Sequence, residues 1–545
     1  MSKPDYSKIR PLKVTVITDI HYYSKTLGTD GGAYMKHEGC SQKLSRESAE
    51  VIREAWDLIC EDDEAQTVLI HGDLTANGDF ASHDEVLNVL RELQARGKKV
   101  IVSYSTHDYR KPTDGMQYAQ SYDGDAVIRV PCYTESDIEG RFDEFGRGEA
   151  ISRCPVTDSY AVQLSDGIRL LALNDDLRGR IGSGYLPEQI EWIKEQVEDA
   201  RSHGQYIFAM AHHPVLPAAP IFYVIGKKFD IVQDYKKIYG QFADMGLNLL
   251  FTGHTHNQNI SYEYSDLGNI FYDVSTASLV GYPPAMRKVT IDPANDVVRV
   301  SSLIIQGCKY FDTEGLTLPL FIRRNFFGMM DEFVASGASG DIERFTKIAD
   351  SFSIKAHTVK KVRFLIKPVF KYLSGLTMKK IAKWTEKETG LKKDDYADIA
   401  DERLVPFFIE VVARMYAGDP DCAPDTARYK IIMAFAAVID DIIRYLPFNL
   451  KKSTGYSSVS EIADPMIYNG GICDDHADII IDNDKASQIL PKRNSYAPPY
   501  RSKKGLIIVA AAMLGALLLS PVWLPGIFIA GVILFFRKII RRIKK

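Results

Sequence analysis

Residues 14–21 read VTVITDIH, a run of apolar and β-branched residues that ends in an aspartate and a histidine. The β-branched residues predict a buried strand, because such side chains are enriched in strands. Asp19 and His21 are two residues apart, so their side chains point to the same side of an extended segment. The run therefore predicts a strand that places two ligand-competent side chains at its end.

Four further motifs follow apolar runs in the same way. They are Gly72-Asp73-Leu74-Thr75, Thr106-His107-Asp108, His212-His213-Pro214 and Gly253-His254-Thr255-His256. A single Asp-x-His or His-His pair is often only part of a solvated loop. Open α/β sheets, however, bind ligands at the carboxyl ends of their strands. Five such motifs, each after an apolar run, therefore predict one shared functional site.

Residues 12–310 have the alternating pattern of an α/β domain. Strand-like runs such as Thr67–His71 are separated by helical patterns near Ser45–Ile59 and Ser82–Ala95. This alternation implies a layered sheet with helices on its faces. After residue 258 the pattern becomes that of antiparallel strands. The polar stretch 106–158 is interpreted as an inserted loop, of the kind that recognises substrate or forms a lid.

The chain changes character after the α/β region. Residues 318–450 carry apolar positions at helical spacing, with Gly, Pro and Asp clustered between the periodic segments, and predict a separate helical domain. Residues 451–504 are rich in Ser, Asn, Asp and Pro and predict a linker or tether. A chain of 545 residues is long enough for two or three such units.

Composition argues against several classes of protein. The net charge is −4, so nucleic-acid binding over a basic surface is disfavoured. An aromatic content of 11% excludes a mostly disordered chain. The seven cysteines include no Cys-x-x-Cys pair, which indicates reduced thiols rather than a disulfide framework or a cysteine zinc site.

The C-terminus predicts a membrane element. Residues 505–536 contain no charged residue and have Lys and Arg on both sides. Long uncharged apolar runs are typical of membrane-embedded segments, although a buried helical hairpin has the same pattern. One straight helix of this length would measure about 48 Å, against a hydrocarbon core of about 30 Å. Because Pro521, Pro525 and Gly526 interrupt the run, it predicts a hairpin, with a single tilted span as the alternative.

The two ends of the chain also predict its location. The N-terminus has no apolar segment of the kind that secretory signals contain. Basic clusters on both sides of 505–536 satisfy the positive-inside tendency only if both ends are cytoplasmic. We therefore expect a membrane-associated protein whose α/β domain lies in the cytoplasm.

The five motifs, in this order, resemble those of the calcineurin-like metallophosphoesterase family over residues 12–310. Gly72-Asp73-Leu74-Thr75 with Asn77-Gly78 nearby is similar to the cyclic-nucleotide phosphodiesterase-like branch. The sequence GYLPEQIEW at 184–192 looks like the family's loop and helix before its fourth motif. The resemblance implies a four-layer α/β/β/α sandwich, followed here by the helical domain and the membrane segment.

The resemblance also implies a centre with two divalent ions. Six side chains would ligate them: Asp19, His21, Asp73 and His256 for the first ion, and Asp73, His212 and His254 for the second, with Asp73 bridging. Imidazole and carboxylate suit Mn, Fe or Zn. Two ions about 3.5–4 Å apart can stabilise the attacking and leaving oxygens of a phosphoryl group. A metal-bound hydroxide would be the nucleophile, because a metal lowers the pKa of its water.

The third motif departs from the family pattern. His107 would protonate or stabilise the leaving oxygen, with Asp108 orienting it, and such general acid catalysis contributes roughly 10²–10⁴-fold. The family usually has Gly-Asn-His-Asp, in which the Asn carbonyl completes the second metal site, whereas this chain has Ser105-Thr106-His107-Asp108. A threonine hydroxyl is a shorter, neutral ligand. Thr106 would therefore bind the second ion directly, through a water, or not at all.

Together these features predict metal-dependent hydrolysis of a phosphoester, either a monoester or a diester. The alternative is a membrane-anchored binding or scaffold protein whose metallophosphoesterase domain is catalytically weak because of Thr106. The expected partners are a phosphoester substrate and, through the C-terminal segment, a lipid bilayer. No feature of the sequence indicates the physiological substrate.

Overall fold

A computed structural model describes residues 4–504, apart from 40, 111–118, 178–181, 227–229, 352–353, 421, 446–448, 470–472 and 491–496. The chain divides into two compact units. The described residues of the first unit lie within 1–375, 405–420 and 471–494, and the described residues of the second lie within 376–404, 421–470 and 495–504.

The described strands, in chain order, are β1 (Leu12–Thr18), β2 (Thr67–His71), β3 (Lys99–Ser103), β4 (Ala119–Asp123), β5 (Ala126–Val130), β6 (Ser152–Arg153), β7 (Tyr160–Ser165), β8 (Ile168–Ala172), β9 (Tyr206–Met210), β10 (Leu249–Thr252), β11 (Asn259–Tyr264), β12 (Ile270–Ser275), β13 (Ala285–Asp292), β14 (Val297–Ile304) and β15 (His476–Ile480). The described α-helices are α1 (Gly32–Glu38), α2 (Ser48–Cys60), α3 (Phe80–Ala95), α4 (Pro187–Ser202), α5 (Pro220–Ile225), α6 (Tyr235–Met245), α7 (Leu318–Ser339), α8 (Ile342–Ser351), α9 (Ala356–Ser374), α10 (Met378–Thr389), α11 (Leu404–Tyr416), α12 (Ala427–Tyr445), α13 (Leu450–Thr454), α14 (Val459–Ile467) and α15 (Asn483–Ile489).

Two sheets form the centre of the first unit. The strand order of one is β15-β14-β13-β1-β2-β3, and that of the other is β11-β12-β10-β9-β8-β7-β6. Strands β1, β2 and β3 run parallel, with Val16 opposite Leu69 and Leu69 opposite Ile101. Strands β8, β9 and β10 are also parallel to one another. Each sheet therefore has a set of neighbouring carboxyl ends at one edge.

The alternation of apolar side chains along the strands creates four layers. Val16 and Leu69 of the first sheet belong to the same buried cluster as Phe208 and Phe251 of the second, so the two sheets pack face to face. The opposite face of β2, which carries Val68 and Ile70, packs against α2 and α3. The opposite face of the second sheet packs against α4 and α6. The predicted α/β/β/α arrangement is therefore present.

Helices follow the sandwich, as the sequence predicts for residues 318–450. The periodic segments near 321–334 and 359–372 correspond to α7 and α9. These helices do not form one domain, however. Helices α7 to α9 belong to the first unit, whereas α10 and α12 belong to the second. Amphipathic periodicity identifies a helix but does not show which neighbour its apolar face packs against.

The segment 451–504, predicted as a tether, contains ordered elements. Within it lie α13, α14, β15 and α15, and β15 pairs with β14 as an edge strand of the first sheet. Ile479 is buried in the cluster between the two sheets. Residues 476–480 therefore form a strand and are not part of a tether. Composition did not predict this strand, because a polar strand at a sheet edge makes only a few apolar contacts. The domain boundaries themselves stay predictions.

The predicted membrane hairpin, residues 505–536, lies outside the described residues. Within the part of the chain that the structure describes, no helix has the length and apolar character that a membrane span requires.

Candidate metal centre

The predicted ligands lie together at the carboxyl ends of strands from both sheets. Asp19 and His21 follow β1, Asp73 follows β2, His212 follows β9, and His254 and His256 follow β10. Ligand atoms from these residues come within 4.8 Å of one another in overlapping groups. The fold therefore brings four of the five sequence motifs into one cluster of ligands.

The backbone is strained at the ligands themselves. Asp19, His21, Asp73, His254 and His256 all have positive φ angles, between 40° and 64°. Aspartate and histidine tolerate this region better than most residues, yet a non-glycine residue there still costs roughly 1–3 kcal/mol. Each strand turns sharply at its end, and the turn aims the side chain into the cluster.

Two glycines of the motifs are required by close packing behind the ligands. A Cβ atom on Gly72, whose φ is 77°, would lie 2.0 Å from His212 Nδ1. A Cβ atom on Gly253 would lie 2.1 Å from Thr18 Oγ1 and 2.4 Å from Asp19 Oδ2. Any side chain at either position would displace a ligand or its support.

The first group of ligands comprises Asp19, His21 and His256. Asp19 Oδ1 lies 3.2 Å from His256 Nε2 and 3.5 Å from His21 Nε2, and the two Nε2 atoms are 3.0 Å apart. Asp19 Oδ2 is occupied, because it accepts hydrogen bonds from the Thr18 hydroxyl at 2.7 Å and the His254 amide at 2.9 Å. Oδ1 is buried without a hydrogen-bond donor. It is therefore the oxygen left to bind a cation.

The second group comprises Asp73, His212 and His254. Asp73 Oδ2 lies 3.2 Å from His212 Nε2, which lies 3.2 Å from His254 Nδ1. Asp73 Oδ1 accepts a hydrogen bond from the His107 amide at 3.0 Å. This bond fixes the carboxylate and directs Oδ2 towards the imidazoles.

Asp73 joins the two groups. Its Oδ2 atom is 3.8 Å from His21 Nε2 as well as 3.2 Å from His212 Nε2. The converging nitrogens and carboxylate oxygens are buried together, an arrangement that is costly without a compensating cation. Carboxylate and imidazole donors of this number suit two divalent ions such as Mn, Fe or Zn. The residues present therefore fit the two-ion centre that the sequence predicts.

The charge states of Asp19, Asp73 and His21 are those that ligands need, whereas the Asp73 and Asp19 carboxylates outweigh burial and raise the pKa of His212 to about 10, so that this ring must lose a proton to bind an ion. Burial alone would raise the pKa of Asp19 and Asp73, but the neighbouring imidazoles, His212 foremost, bring the pKa of both carboxyls well below its usual range. Burial, assisted by the Lys43 ammonium, lowers the pKa of His21 to about 3. Ionised carboxylates and a neutral imidazole are the forms that bind metal ions.

His107 lies beside the cluster at its exposed side. Its side chain is 35% exposed and that of His254 is 18% exposed, whereas the side chains of Asp19, His21, Asp73, His212 and His256 are at most 4% exposed. His107 Nδ1 lies 2.7 Å from the Ala76 carbonyl oxygen, and Nε2 lies 3.9 Å from Asp73 Oδ2. Since Nδ1 donates to Ala76, Nε2 is the nitrogen that faces an incoming substrate.

Asp108 does not have the contact that the sequence predicts for it. Its carboxylate accepts hydrogen bonds from the amides of Thr75 at 2.7 Å and Ser105 at 2.9 Å, and from the Thr75 hydroxyl. Among the described hydrogen bonds, the Ala76 carbonyl rather than Asp108 orients the His107 ring. Asp108 therefore joins the loops after β2 and β3. Consecutive side chains on a tight turn point apart, which is why adjacency in sequence is misleading here.

Thr106 occupies the position where the family pattern has asparagine. It lies in the turn after β3, next to the His107 amide that binds Asp73. Within the described residues, its hydroxyl makes no hydrogen bond to the carboxylates or imidazoles of the cluster. Ligation of an ion by Thr106 stays a prediction.

Lys43 is a component of the site that the motifs do not indicate. Its Nζ atom lies 3.2 Å from His21 Nδ1 and 3.5 Å from His107 Nε2. Burial lowers the pKa of Lys43 to about 8, although the carboxylates of Asp73 and Asp19 oppose this shift. A cation is thus held next to His107, at the exposed side of the cluster.

A second layer of charge supports the histidines after β9. Asp175, which follows β8, accepts hydrogen bonds from the His213 amide at 2.7 Å and from His213 Nδ1 at 3.1 Å. The His213 ring lies 4.2 Å, between centroids, from the ring of His254. The acidic pair Asp175-Asp176, shortly after the buried strand β8, is a sequence signal that indicates this support.

Comparison with known proteins finds a family match for part of the chain. Residues 12–258 match the family described as calcineurin-like phosphoesterase. Among curated proteins, the comparison finds no match.

Similar solved structures include a dimetal phosphatase from Danio rerio, with 15% identity, a TM-score of 0.37, and coverage of 53% of this chain and 95% of that one. A purple acid phosphatase from yellow lupin has 16% identity and a TM-score of 0.35, with coverage of 57% of this chain and 54% of the lupin chain. A Haemophilus influenzae NAD nucleotidase has 11% identity and a TM-score of 0.29, with coverage of 68% and 62%.

Proposed function

We propose, from the match of residues 12–258 to the calcineurin-like phosphoesterase family and from the geometry of the ligands, that this protein is a metal-dependent phosphoester hydrolase whose active site is the cluster around Asp73. The observation that carries this proposal is the Asp73 carboxylate, which faces His21 of one ligand group and His212 of the other. A carboxylate shared in this way serves two cations at once, and two cations suit phosphoryl transfer.

Each side chain around the cluster has a distinct task in this proposal. Two divalent ions, when bound, supply Lewis acidity towards the phosphoryl group and lower the pKa of water. Lys43 supplies a further positive charge beside His107, where the anionic phosphoryl oxygens would lie. His107 Nε2 points to the same place and is positioned to donate a proton, or a hydrogen bond, to the departing oxygen.

Turnover of simple phosphoesters tests the function. The purified full-length protein, stripped of metal and then supplied with Mn²⁺, is assayed with 4-nitrophenyl phosphate and bis(4-nitrophenyl) phosphate. We expect hydrolysis that depends on Mn²⁺ and is abolished by a chelator. Full metal loading with no turnover of either substrate would instead favour the binding or scaffold alternative.

The motif after β2 is the part of the sequence that is similar to the cyclic-nucleotide phosphodiesterase-like branch. Asn77 and Gly78 follow the Gly-Asp-Leu-Thr motif, and the side-chain oxygen of Asn77 accepts a hydrogen bond from Arg110 at 3.2 Å. This turn lies next to Ala76, whose carbonyl orients His107. On the basis of this similarity we propose a phosphodiester substrate, and the ratio of kcat/KM for the two aryl substrates is the measurement that tests the preference.

Replacing Lys43 with glutamine is expected to lower kcat/KM about tenfold to a hundredfold, the usual range for a hydrogen bond to a charged group. The loss should appear mainly in KM, and Lys43→Arg should recover part of it. Metal content, measured by inductively coupled plasma mass spectrometry, should stay at the wild-type level because Lys43 is not a ligand. Lys8→Gln, at an exposed position, is the control; equal KM values for Lys43→Gln and this control would contradict the assignment.

We propose, further, that residues 505–536 attach the protein to a membrane as a hairpin and leave the catalytic unit in the cytoplasm. The support is the uncharged run between two basic clusters. A cysteine introduced as Lys545→Cys should react with an impermeant thiol reagent only after cell lysis. Labelling in intact cells would favour a single span, and recovery of the whole chain in the soluble fraction without detergent would contradict membrane attachment.

A further inference from the structure

Helix α9 carries three stripes of side chains, each at helical spacing. One stripe is buried and includes Val359 and Ile366. The second is basic and consists of Lys360, Arg363, Lys367 and Lys371. The third is apolar and exposed and consists of Val362, Leu365, Val369 and Tyr372. An ordinary surface helix has one apolar stripe and covers it, so the third stripe needs an explanation.

The apolar stripe is open to solvent from residue 362 to residue 372. Its four side chains are between 42% and 56% exposed, and Phe364, between this stripe and the basic one, is 72% exposed. Single exposed apolar residues are common on protein surfaces, whereas contiguous groups mark interaction sites. The periodicity of the group shows that the whole helix face is available for contact.

The basic stripe indicates the charge of the surface that the exposed side of α9 would bind. From residue 351 to residue 385 the sequence has nine Lys or Arg residues and no Asp or Glu. None of the four basic side chains of the stripe forms an ion pair with an acidic residue in the described part of the chain. These four side chains are therefore available to bind an external anionic surface.

We propose that α9 lies flat on an anionic lipid bilayer with its exposed face towards the lipid. The apolar stripe and Phe364 would enter the headgroup region, and the basic stripe, at the other edge of that face, would contact the lipid phosphates. A helix with separate apolar and basic stripes, low overall hydrophobicity and an exposed aromatic residue is typical of interfacial binding. Packing against a second copy is disfavoured, because it would bring together two helices that carry the same uncompensated positive charge. The surface is distinct from the predicted 505–536 segment, because α9 makes its contact without crossing the bilayer.

Hydrogen–deuterium exchange on the full chain tests this surface, because it reports on α9 separately from the C-terminal segment. The protein is incubated with phosphatidylcholine vesicles, with or without phosphatidylserine, and peptides from residues 356–374 are followed. With phosphatidylserine we expect roughly tenfold slower exchange in α9. Peptides from α4 should be unchanged, and added salt should reduce the protection.

Matched variants separate the apolar and the basic contributions. Lys360→Gln with Lys367→Gln should raise the lipid concentration for half-maximal protection about 25-fold, or about fivefold for each charge. Leu365→Ser with Val369→Ser should also remove protection, and both changes are at exposed positions that the fold does not need. Lys236→Gln with Lys237→Gln on α6 is the charge-matched control and should leave protection intact.

Three outcomes would overturn the proposal. Equal exchange in α9 with and without phosphatidylserine would show that the bilayer does not contact it. Protection without vesicles that rises with protein concentration would assign the face to a second copy. Protection without vesicles at every concentration would assign it to another part of the same chain. Mn²⁺-dependent phosphoesterase activity towards a soluble substrate should be unchanged in all variants, so failure of this proposal leaves the proposed function untouched.

Discussion

Asp73→Asn is expected to abolish metal-dependent turnover and to lower the affinity for both ions. The introduced asparagine would keep the hydrogen bond from the His107 amide, because its carbonyl oxygen can replace Asp73 Oδ1. Its NH₂ group would replace Oδ2, the atom that faces His21 and His212, and it cannot ligate a cation. Loss of a supporting group around a metal costs about 10–100-fold in affinity, so loss of the shared ligand should cost more than a hundredfold.

Calorimetric titration of the metal-free protein with Mn²⁺ measures this effect, and thermal melting gives a second reading. Metal binding stabilises a folded protein in proportion to RT ln(1 + [L]/Kd), so the Mn²⁺-induced rise in melting temperature should disappear in Asp73→Asn. Without metal, the variant should melt lower than the wild type, because the buried His212 imidazole loses the Asp73 carboxylate that stabilises its charged form. Asp266→Asn, at an exposed position, is the control. Wild-type metal content and turnover in Asp73→Asn would disprove the site.

The strands and the candidate ligands could be predicted from the sequence, because both depend on local patterns. Strand β2 has the predicted bounds, Thr67–His71, since five consecutive buried residues followed by Gly72 leave few alternatives. The ligands follow such strands directly, and parallel strands place their carboxyl ends at one edge. The local patterns and the topology were therefore enough to predict that Asp19, Asp73 and His254 lie in one cluster.

The remaining parts of the site depend on tertiary contacts that leave no local signal. Lys43 belongs to a loop before α2, and only the folded chain brings its ammonium within 3.5 Å of His107. The partner of the His107 ring is a backbone carbonyl, that of Ala76, and a backbone group has no sequence signature. Strand β15 joins the first sheet from about 170 residues away along the chain, and pairing over such separations is not visible in composition.

The strained turns hold the proposed metal ligands in a fixed geometry. Asp19 and Asp73 each use one carboxylate oxygen to accept backbone or hydroxyl hydrogen bonds and leave the other for the cation. The donors come from the neighbouring motifs, so each ligand is held by the loop that carries another. A substitution that relaxes one turn is therefore expected to disturb more than one ligand.

His107→Gln is expected to lower turnover by about 10²–10⁴-fold while leaving metal content intact. His107 contributes its amide, not its ring, to the binding of Asp73, so the ligand cluster survives the change. In the absence of substrate, burial and the Lys43 ammonium hold the pKa of His107 well below its usual range, and a bound phosphate anion would raise it again. Proton transfer from Nε2 to the leaving oxygen is then the step that glutamine cannot perform.

A comparison of substrates with different leaving groups tests whether His107 protonates the leaving oxygen. A 4-nitrophenolate departs without help, whereas an alkoxide needs a proton, so the loss in kcat/KM should be several times larger for an alkyl ester than for the nitrophenyl ester. His203→Gln, on an exposed histidine, is the control and should behave as wild type with both substrates. If His107→Gln slowed both substrates equally, with metal content unchanged, His107 would position the phosphoryl group rather than protonate the leaving oxygen.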